Sequence, residues 1–313
     1  MTTRGLLLFP RPGDHYREDF AGIADRLRRI APDLRVKVAH EPRPPADIAD
    51  GFADMPTLAV SFRHDVPVPV PGRVFHCRYV PKPVQIRRYA KAGIPFPRAR
   101  LFEWGVELDP SVWGPFVVMK PIRPGTMSQG TVHLMPTDLV HRITPANFDS
   151  RHPIHSGPML IQAFVDTGER PTSYRVLTLF GEPLYAMTHI SKQPRPPLNS
   201  TAKELIEARI TSSGGPRDMV LTDDPEVLAF ARRMSRALPN VPLQGLDIIR
   251  EHSTGQLWAL ESNPGGNTWH FSSRYAVKLR GEGGISREDR LRQFNALERA
   301  AEALARAVEQ YAE

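Results

Sequence analysis

Apolar residues follow two rhythms along this chain, and the rhythms alternate through the first 80 positions. Residues 5–9 (GLLLF) form an unbroken apolar run bounded by Pro10. Residues 34–39, 57–62 and 73–80 are also strand-like, and the segments between them repeat apolar positions every three or four residues, at Arg17–Ile30 and more briefly at Ala46–Phe52. Strand–helix–strand alternation predicts a parallel sheet with helices on its faces. No G-x-G-x-x-G follows the first strand, so the dinucleotide fingerprint is absent.

Pro81 and Pro83 end this alternation. A helix is expected at 84–92, with Gly93 as its C′ residue and Pro95 just beyond. Strands and loops follow, with strands expected at 116–120, 131–135, 159–165, 174–180 and 183–190; Gly181-Glu182 marks a tight turn between the last two. Asp224 reads as an N-cap with Pro225 at N1, opening a helix to 238. Ser286-x-x-Asp289 is similar to a capping box and opens one final helix running almost to the last residue. The expected class is α/β in the first part and α+β overall. At 313 residues the chain exceeds the usual single core and is expected to form two or three subdomains.

Composition excludes several function classes. The apolar and charged fractions, 41% and 24%, are those of an ordinary soluble chain. The opening apolar run is too short for a signal-peptide core, and nothing approaches the roughly 20 residues of a membrane span. A cytoplasmic location without membrane attachment is the default expectation. The single cysteine, Cys77, rules out an internal disulfide and a cysteine zinc cluster, and reads as a small buried hydrophobe. The 32 prolines cluster in loops, at 42–45, 66–71 and 194–197. The net charge of +7 is spread over predicted helices without interleaved aromatics, which points away from nucleic acid and toward an anionic small substrate such as a nucleotide.

Candidate chemistry concentrates in two places. Residues 244–251 (QGLDIIRE) and 257–263 (LWALESN) read as a hairpin around Gly255. Setting Glu251 against Leu257 places Asp247 directly opposite Glu261, with Cβ atoms about 5 Å apart. Asn263 then shares their face, and Leu246, Ile248, Trp258 and Leu260 share the other. At an effective dielectric near 20, facing carboxylates repel by about 3 kcal/mol. Three converging oxygen donors suit a hard divalent cation such as Mg²⁺. In the plainer alternative Glu261 reaches solvent and Asp247 pairs with an arginine. The second place is 114–131 (GPFVVMKPIRPGTMSQGT), where Lys120 closes an apolar strand and a loop with Gly125, Ser128 and Gly130 follows. Such a lysine reaches either solvent or an anion, and glycines let backbone N–H groups approach a phosphate. The order of residues is not that of a Walker A loop.

Taken together, the Lys-Pro strand end with its Gly/Ser loop, LIQAFV, YRVLTLFGEPLYA, GLDII and LESNPGG resemble the ATP-grasp superfamily over residues 81–271. The likeness is strongest to glutathione synthetases and ribosomal-protein glutamate ligases, and the D-x13-E-x-N spacing is its most specific part. The resemblance implies a Rossmann-like domain over 1–80, a small subdomain over 81–157 with the phosphate loop, and a large subdomain over 158–313 with the metal site. By position, Lys82 and Lys120 resemble the two nucleotide-phosphate lysines, and Ser128 and Gly130 the phosphate loop. Gln162, Ala163, Phe164 and Val165 resemble the hinge strand that reads adenine, and Glu169 or Asp166 the ribose ligand. Arg175 resembles the arginine that stabilises phosphoryl charge, and Asp247, Glu261 and Asn263 the metal ligands.

The implied activity is a ligase that activates a carboxylate as an acyl phosphate and joins it to an amine. ATP and Mg²⁺ are the implied cofactors: two ions, with Mn²⁺ able to substitute. A small-molecule or peptide carboxylate and amine are the implied partners, and a homodimer is compatible with them. A kinase on the same fold and a nucleotide-binding protein without turnover are the alternatives. The pattern departs from the family at Ser173, where an acid is expected, at His189, where glutathione synthetases carry arginine, and at Gly245, where D-alanine–D-alanine ligases carry arginine. The Pro-rich 191–216 segment does not match the usual lid. Its Lys192 and Arg195 read as solvated loop residues or as groups that close on phosphates. Asn267, Trp269 and His270 read either as acceptor-pocket residues or, for Trp269, as core and, for His270, as surface. His141, His152 and His155 lack metal-site spacing and read as loop residues.

Overall fold

The computed structural model describes the chain except residues 1–2, 14–15, 44–45, 123–130, 209, 213–214, 266–267, 274–275 and 277–283. Strands β1 (Arg4–Phe9), β2 (Leu34–Val38), β3 (Thr57–Ser61) and β4 (Arg73–His76) form a parallel sheet in the order β2-β1-β3-β4. β1 and β3 are central and buried along almost their whole length, which is why they read as continuous apolar runs. Helix α1 (Arg17–Ile30) packs its apolar stripe of Phe20, Ile23, Ala24 and Leu27 inward. Ala46–Phe52, expected as a helix, is a 3-10 helix.

Helix α2 (Lys82–Lys91) follows, with Pro81 as its cap and Gly93 beyond its end at φ 61°. Strands β5 (Ala99–Leu101), β6 (Phe116–Pro121), β7 (His133–Pro136) and β8 (Met159–Ala163) form a second sheet in the order β5-β8-β6-β7, with the short helix α3 (Pro110–Trp113) before β6. β8 pairs with β5 and β6, so this sheet includes residues up to Ala163. The third sheet is antiparallel, in the order β11-β10-β9-β12-β13. Its strands are β9 (Thr172–Leu179), β10 (Glu182–Ser191), β11 (Arg217–Leu221), β12 (Leu243–Arg250) and β13 (Leu257–Pro264). Helix α5 (Pro225–Arg236) opens on the Asp224 cap, whose carboxylate accepts from the backbone N–H groups of Glu226 and Val227.

The final helix is not single. Helix α6 (Arg287–Gln293) opens on the expected Ser286–Asp289 capping box, and helix α7 (Ala296–Tyr311) starts afresh after Asn295. Asn295 sits at φ 52°, a left-handed conformation that asparagine tolerates better than most residues. Gln293 is fixed just before the break: its amide nitrogen donates to the carbonyls of Ala186 and Thr222, and its oxygen accepts from the Ala186 N–H.

One core joins the first and third sheets. Leu6, Leu8 and Val60 meet Leu177, Leu179, Tyr185 and Met187, with α1 and α7 closing the sides. The far face of the third sheet packs on α5 and on Tyr89 of α2. Asp19, fully buried in α1, accepts from Trp269 Nε1 (2.8 Å) and Ser272 Oγ (2.7 Å) and pairs with Arg287. It thereby fastens the turn after β13 to the N-terminal layer. Trp269 is core, as the plainer reading expected, and so is Cys77.

Helix α4 (Ala202–Glu207) lies on β7. His133 Nδ1 donates to the Ile206 carbonyl (2.8 Å), and His152 Nδ1 accepts from the Ile154 N–H (3.2 Å). Those partners fix the tautomers, so His152 Nε2–H donates to His133 Nε2 across 2.9 Å. His152, expected as an ordinary loop residue, is thus buried in a pair with a histidine 19 positions away. Among the described residues, no helix is long and apolar enough to cross a membrane.

Candidate active site

β12 and β13 form the expected hairpin with a register that changes along it. Arg250 faces Leu257 and Ile248 faces Ala259, but Asp247 faces Glu261. Leu260 has no opposite residue and forms a β-bulge. The expected Glu251–Leu257 pairing is therefore one residue off, and the bulge restores the Asp247–Glu261 pair that it implied. The bulge also reassigns faces. Leu246, Ile248 and Ala259 enter the core, whereas Leu260, expected there, joins Ile249 on the wall of a cleft. Trp258 is half-buried opposite Ile249.

Asp247 and Glu261 do not face each other alone. Arg175, opposite Asp247 on β9, donates from Nε and Nη2 to its two oxygens at 2.7 and 2.9 Å. Lys82, at the start of α2, places Nζ 3.1 Å from Glu261 Oε2. Asn263 Nδ2 lies between the carboxylates, 2.9 Å from Asp247 Oδ2 and 3.1 Å from Glu261 Oε1. Protein cations thus offset much of the repulsion that the sequence reading left to a metal, and the arginine pairing holds together with the three-donor cluster.

The donor set fits a hard cation. Turning the Asn263 carboxamide over puts its oxygen where its nitrogen now bridges the acids, giving two carboxylates and a carbonyl. Among the described residues, no three His, Cys, Asp or Glu side chains gather into a metal-binding group, so the third donor here is an amide.

Electrostatics set the charge states. Burial alone would raise the Glu261 carboxyl, but Lys82 and Lys120 outweigh it and hold its pKa low. Burial moves Asp247 upward against the pull of Arg175. Burial and then Lys82 pull Lys120 down to about 8, which leaves it mostly protonated at neutral pH.

The cleft has a volume of about 450 Å³, and Lys82, Lys120, Gln162, Ala163, Phe164, Val165, Arg175, Asp247, Glu261 and Asn263 all line it. Its described wall carries four cations, Lys82, Lys120, Arg175 and Arg195, against two carboxylates, an excess suited to a polyphosphate. Ser128, Gly130 and Asn267 lie outside the described residues. Glu169 is exposed and off the cleft wall. Asp166 is held at 2.9 Å by Arg195.

Two sequence expectations change here. Arg195, read as a solvated loop residue or a phosphate-closing group, has a side chain only 10% exposed on the cleft wall, because Asp166 anchors it. His270, read as surface in the plainer alternative, is buried on the same wall, stacked on Tyr185 at 5.5 Å between ring centroids. Lys192 stays half-exposed, paired with Asp218.

Residue-by-residue reading missed Thr211, Ser212 and Thr268 on this wall, and named His189 only as a departure from the resemblance. The alternation Tyr185, Met187, His189 along β10 would have assigned His189 a face. Gly245 also gains a reason: a Cβ there would lie 2.6 Å from Thr268 Cγ2 and 3.1 Å from Arg175 Nη1. Its absence makes room for both.

No family model and no curated relative matches the chain. Among solved structures, the macrocyclase MdnC from Microcystis aeruginosa MRC, bound with its precursor peptide MdnA, is similar at a TM-score of 0.50 and 11% identity, over 96% of this chain and 99% of that one. The D-cycloserine synthetase DcsG (15% identity, 97% and 99% of the two chains) and the ATP-grasp ligase PsnB, complexed with minimal precursor, Mg and ADP (12%, 97% and 98%), each give a TM-score of 0.48. In its three sheets, and in the cleft between the second and the third, the chain shares the fold of the macrocyclase MdnC.

Proposed function

We propose that the protein is a Mg-ATP-dependent ligase that joins a carboxylate to an amine, releasing ADP and phosphate. The observation that carries this reading is the gathering of Asp247, Glu261 and Asn263 with Lys82, Lys120 and Arg175 on one cleft wall. Phosphoryl transfer builds charge on oxygens and asks a protein for positioned cations rather than for a nucleophile. Asp247, Glu261 and Asn263 would hold Mg²⁺, which would supply neutralisation of phosphate charge there.

Lys120, from the small sheet, and Lys82, from α2, approach the phosphates from one side. Arg175, held rigid by Asp247, stands where the transferred phosphoryl group and the substrate carboxylate meet. Gln162 to Val165, at the end of β8, are the segment against which the adenine lies. The buried setting keeps water from the acyl phosphate until an amine displaces phosphate.

The test is an ADP-release screen over carboxylates and amines, with mass spectrometry of the products. Peptides belong in it, because MdnC holds a precursor peptide. Asp247→Asn and Glu261→Gln should remove ADP formation, and near-wild-type turnover in either variant would overturn the metal assignment. Phosphorylated product without an amide would identify a kinase, and nucleotide binding without turnover a non-catalytic protein.

A further inference from the structure

The cleft does not end at the phosphate-binding residues. β10 lies next to β9 on the side away from Asp247, and there His189 faces Ser173 while Met187 faces Arg175. His189 is therefore two strands and two residues from Asp247, about 12 Å between Cα atoms at ordinary sheet spacings. That is too far for its ring to touch an ion held by Asp247. It is, however, the diagonal neighbour of Arg175, about 7–8 Å away, within reach of two long side chains converging on one group.

Two buried polar atoms on this stretch of wall have no hydrogen-bond partner: His189 Nε2 and Thr211 Oγ1. His189 as a residue is only 5% exposed. The two come from different parts of the chain and are brought together by Ser173 and Ser212, whose hydroxyl oxygens are 2.6 Å apart. Buried polar groups are nearly always paired, so two orphans on one wall are a cost that a ligand with hydrogen-bonding oxygens removes.

The surroundings decide the sign of that ligand. Arg175 and the buried Arg217 flank His189, and after burial they are what hold its pKa down, to about 3. The ring is neutral at pH 7 and in its Nε2–H tautomer donates a hydrogen bond. An ammonium group beside two guanidinium groups is repelled, whereas a carboxylate is attracted.

We propose that His189 Nε2 and Thr211 Oγ1, together with Arg175, form the subsite that receives the carboxylate of the acyl donor, leaving the amine to enter from elsewhere. This rests on the ligase reading for the word donor. The anion subsite itself rests only on the geometry of β9, β10 and the 210–212 loop.

The experiment uses the full chain labelled with ¹⁵N-histidine, with Mg²⁺ and ADP present. The His189 ring signal is assigned by its loss in His189→Asn. Carboxylates from acetate to glutarate, and amines from ethylamine to cadaverine, are titrated separately. Carboxylates should shift the His189 signal saturably, with at least fivefold weaker binding in Thr211→Val, and amines should leave it unmoved. A His189 response to amines alone, silence toward both series, or equal carboxylate affinity in wild type and His189→Leu overturns the proposal. Nucleotide binding followed in the same samples separates the two readings. A carboxylate response without nucleotide binding sinks the ligase and leaves the subsite, while nucleotide binding with a silent His189 does the reverse.

Discussion

Gly245→Ala tests whether the site depends on packing that carries no charge. The ideal Cβ would lie 2.6 Å from Thr268 Cγ2 and 2.9 Å from Thr268 Cβ, against an ordinary carbon contact of about 3.5–4.0 Å. Something must move by about 1 Å, and Thr268 is not free to do so. Its N–H and Oγ1 both donate to the Gly265 carbonyl, at 3.1 and 2.6 Å, and its own carbonyl accepts from Tyr185 Oη at 3.0 Å. Overpacking of this kind costs about 1–3 kcal/mol. If Arg175 yields instead, one charge-assisted bond to Asp247 weakens, at a similar cost of about 1.5–3 kcal/mol. The smaller entropy of the unfolded alanine chain returns about 0.4–1 kcal/mol. The expected net loss is about 1–3 kcal/mol in urea unfolding, with ADP formation reduced because Arg175 is displaced. Removing the obstructing carbons tests the cause: in a Thr268→Gly background, which lacks both Cγ2 and Cβ, Gly245→Ala should cost less than about 1 kcal/mol, a coupling of the size seen between contacting residues. Equal costs in both backgrounds would refute the steric reasoning.

Three further outcomes follow. Lys120→Ala should weaken ATP binding about 10- to 100-fold by calorimetry, the worth of one charge-assisted contact, and unchanged affinity would remove its phosphate role. Burial depresses both partners of the His133–His152 pair, His152 to about 4, so the fold binds fewer protons than the unfolded chain, whose histidines titrate near 6.5. That contribution is complete above pH 6.5 and lost as pH falls toward 4; it amounts to about 1–3 kcal/mol, and His152→Asn should flatten the pH dependence of unfolding. Asp19→Ala strips the partner from Trp269 Nε1, Ser272 and Arg287. It should cost about 3–5 kcal/mol in urea unfolding, and a loss below about 1 kcal/mol would show that the turn after β13 is held by other contacts.

What the sequence made legible was whatever depends on neighbours in the chain. The rhythm of β1, α1, β2 and β3 is local, as are the caps at Asp224 and Ser286. The facing of Asp247 and Glu261 was also within reach, because a hairpin converts sequence separation into register. Its starting assumption was wrong by one residue, and nothing in LWALESN marks Leu260 as the residue that would be left over. The break at Asn295 was illegible because it depends on Gln293 grasping β10 and Thr222, more than 70 positions away. Arg195 and His270 looked like loop residues because their partners, Asp166 and Tyr185, sit 29 and 85 positions upstream. The His133–His152 tautomers needed the Ile206 carbonyl, which only the packing of α4 on β7 supplies.

The unpaired residue at Leu260 gives the hairpin a parity of its own. Counting from the loop, Glu261 would belong with Leu246 on the oily side; counting from the cleft, it belongs with Asp247. The two counts are reconciled at a single residue. A chain one residue shorter there would lose the bulge and pair regularly, with Asp247 still opposite Glu261 and Asn263 still on the cleft side. The bulge is thus the slack of the hairpin: losing one residue is absorbed there, whereas losing a second would set Glu261 opposite Ile248 and turn it out of the cleft.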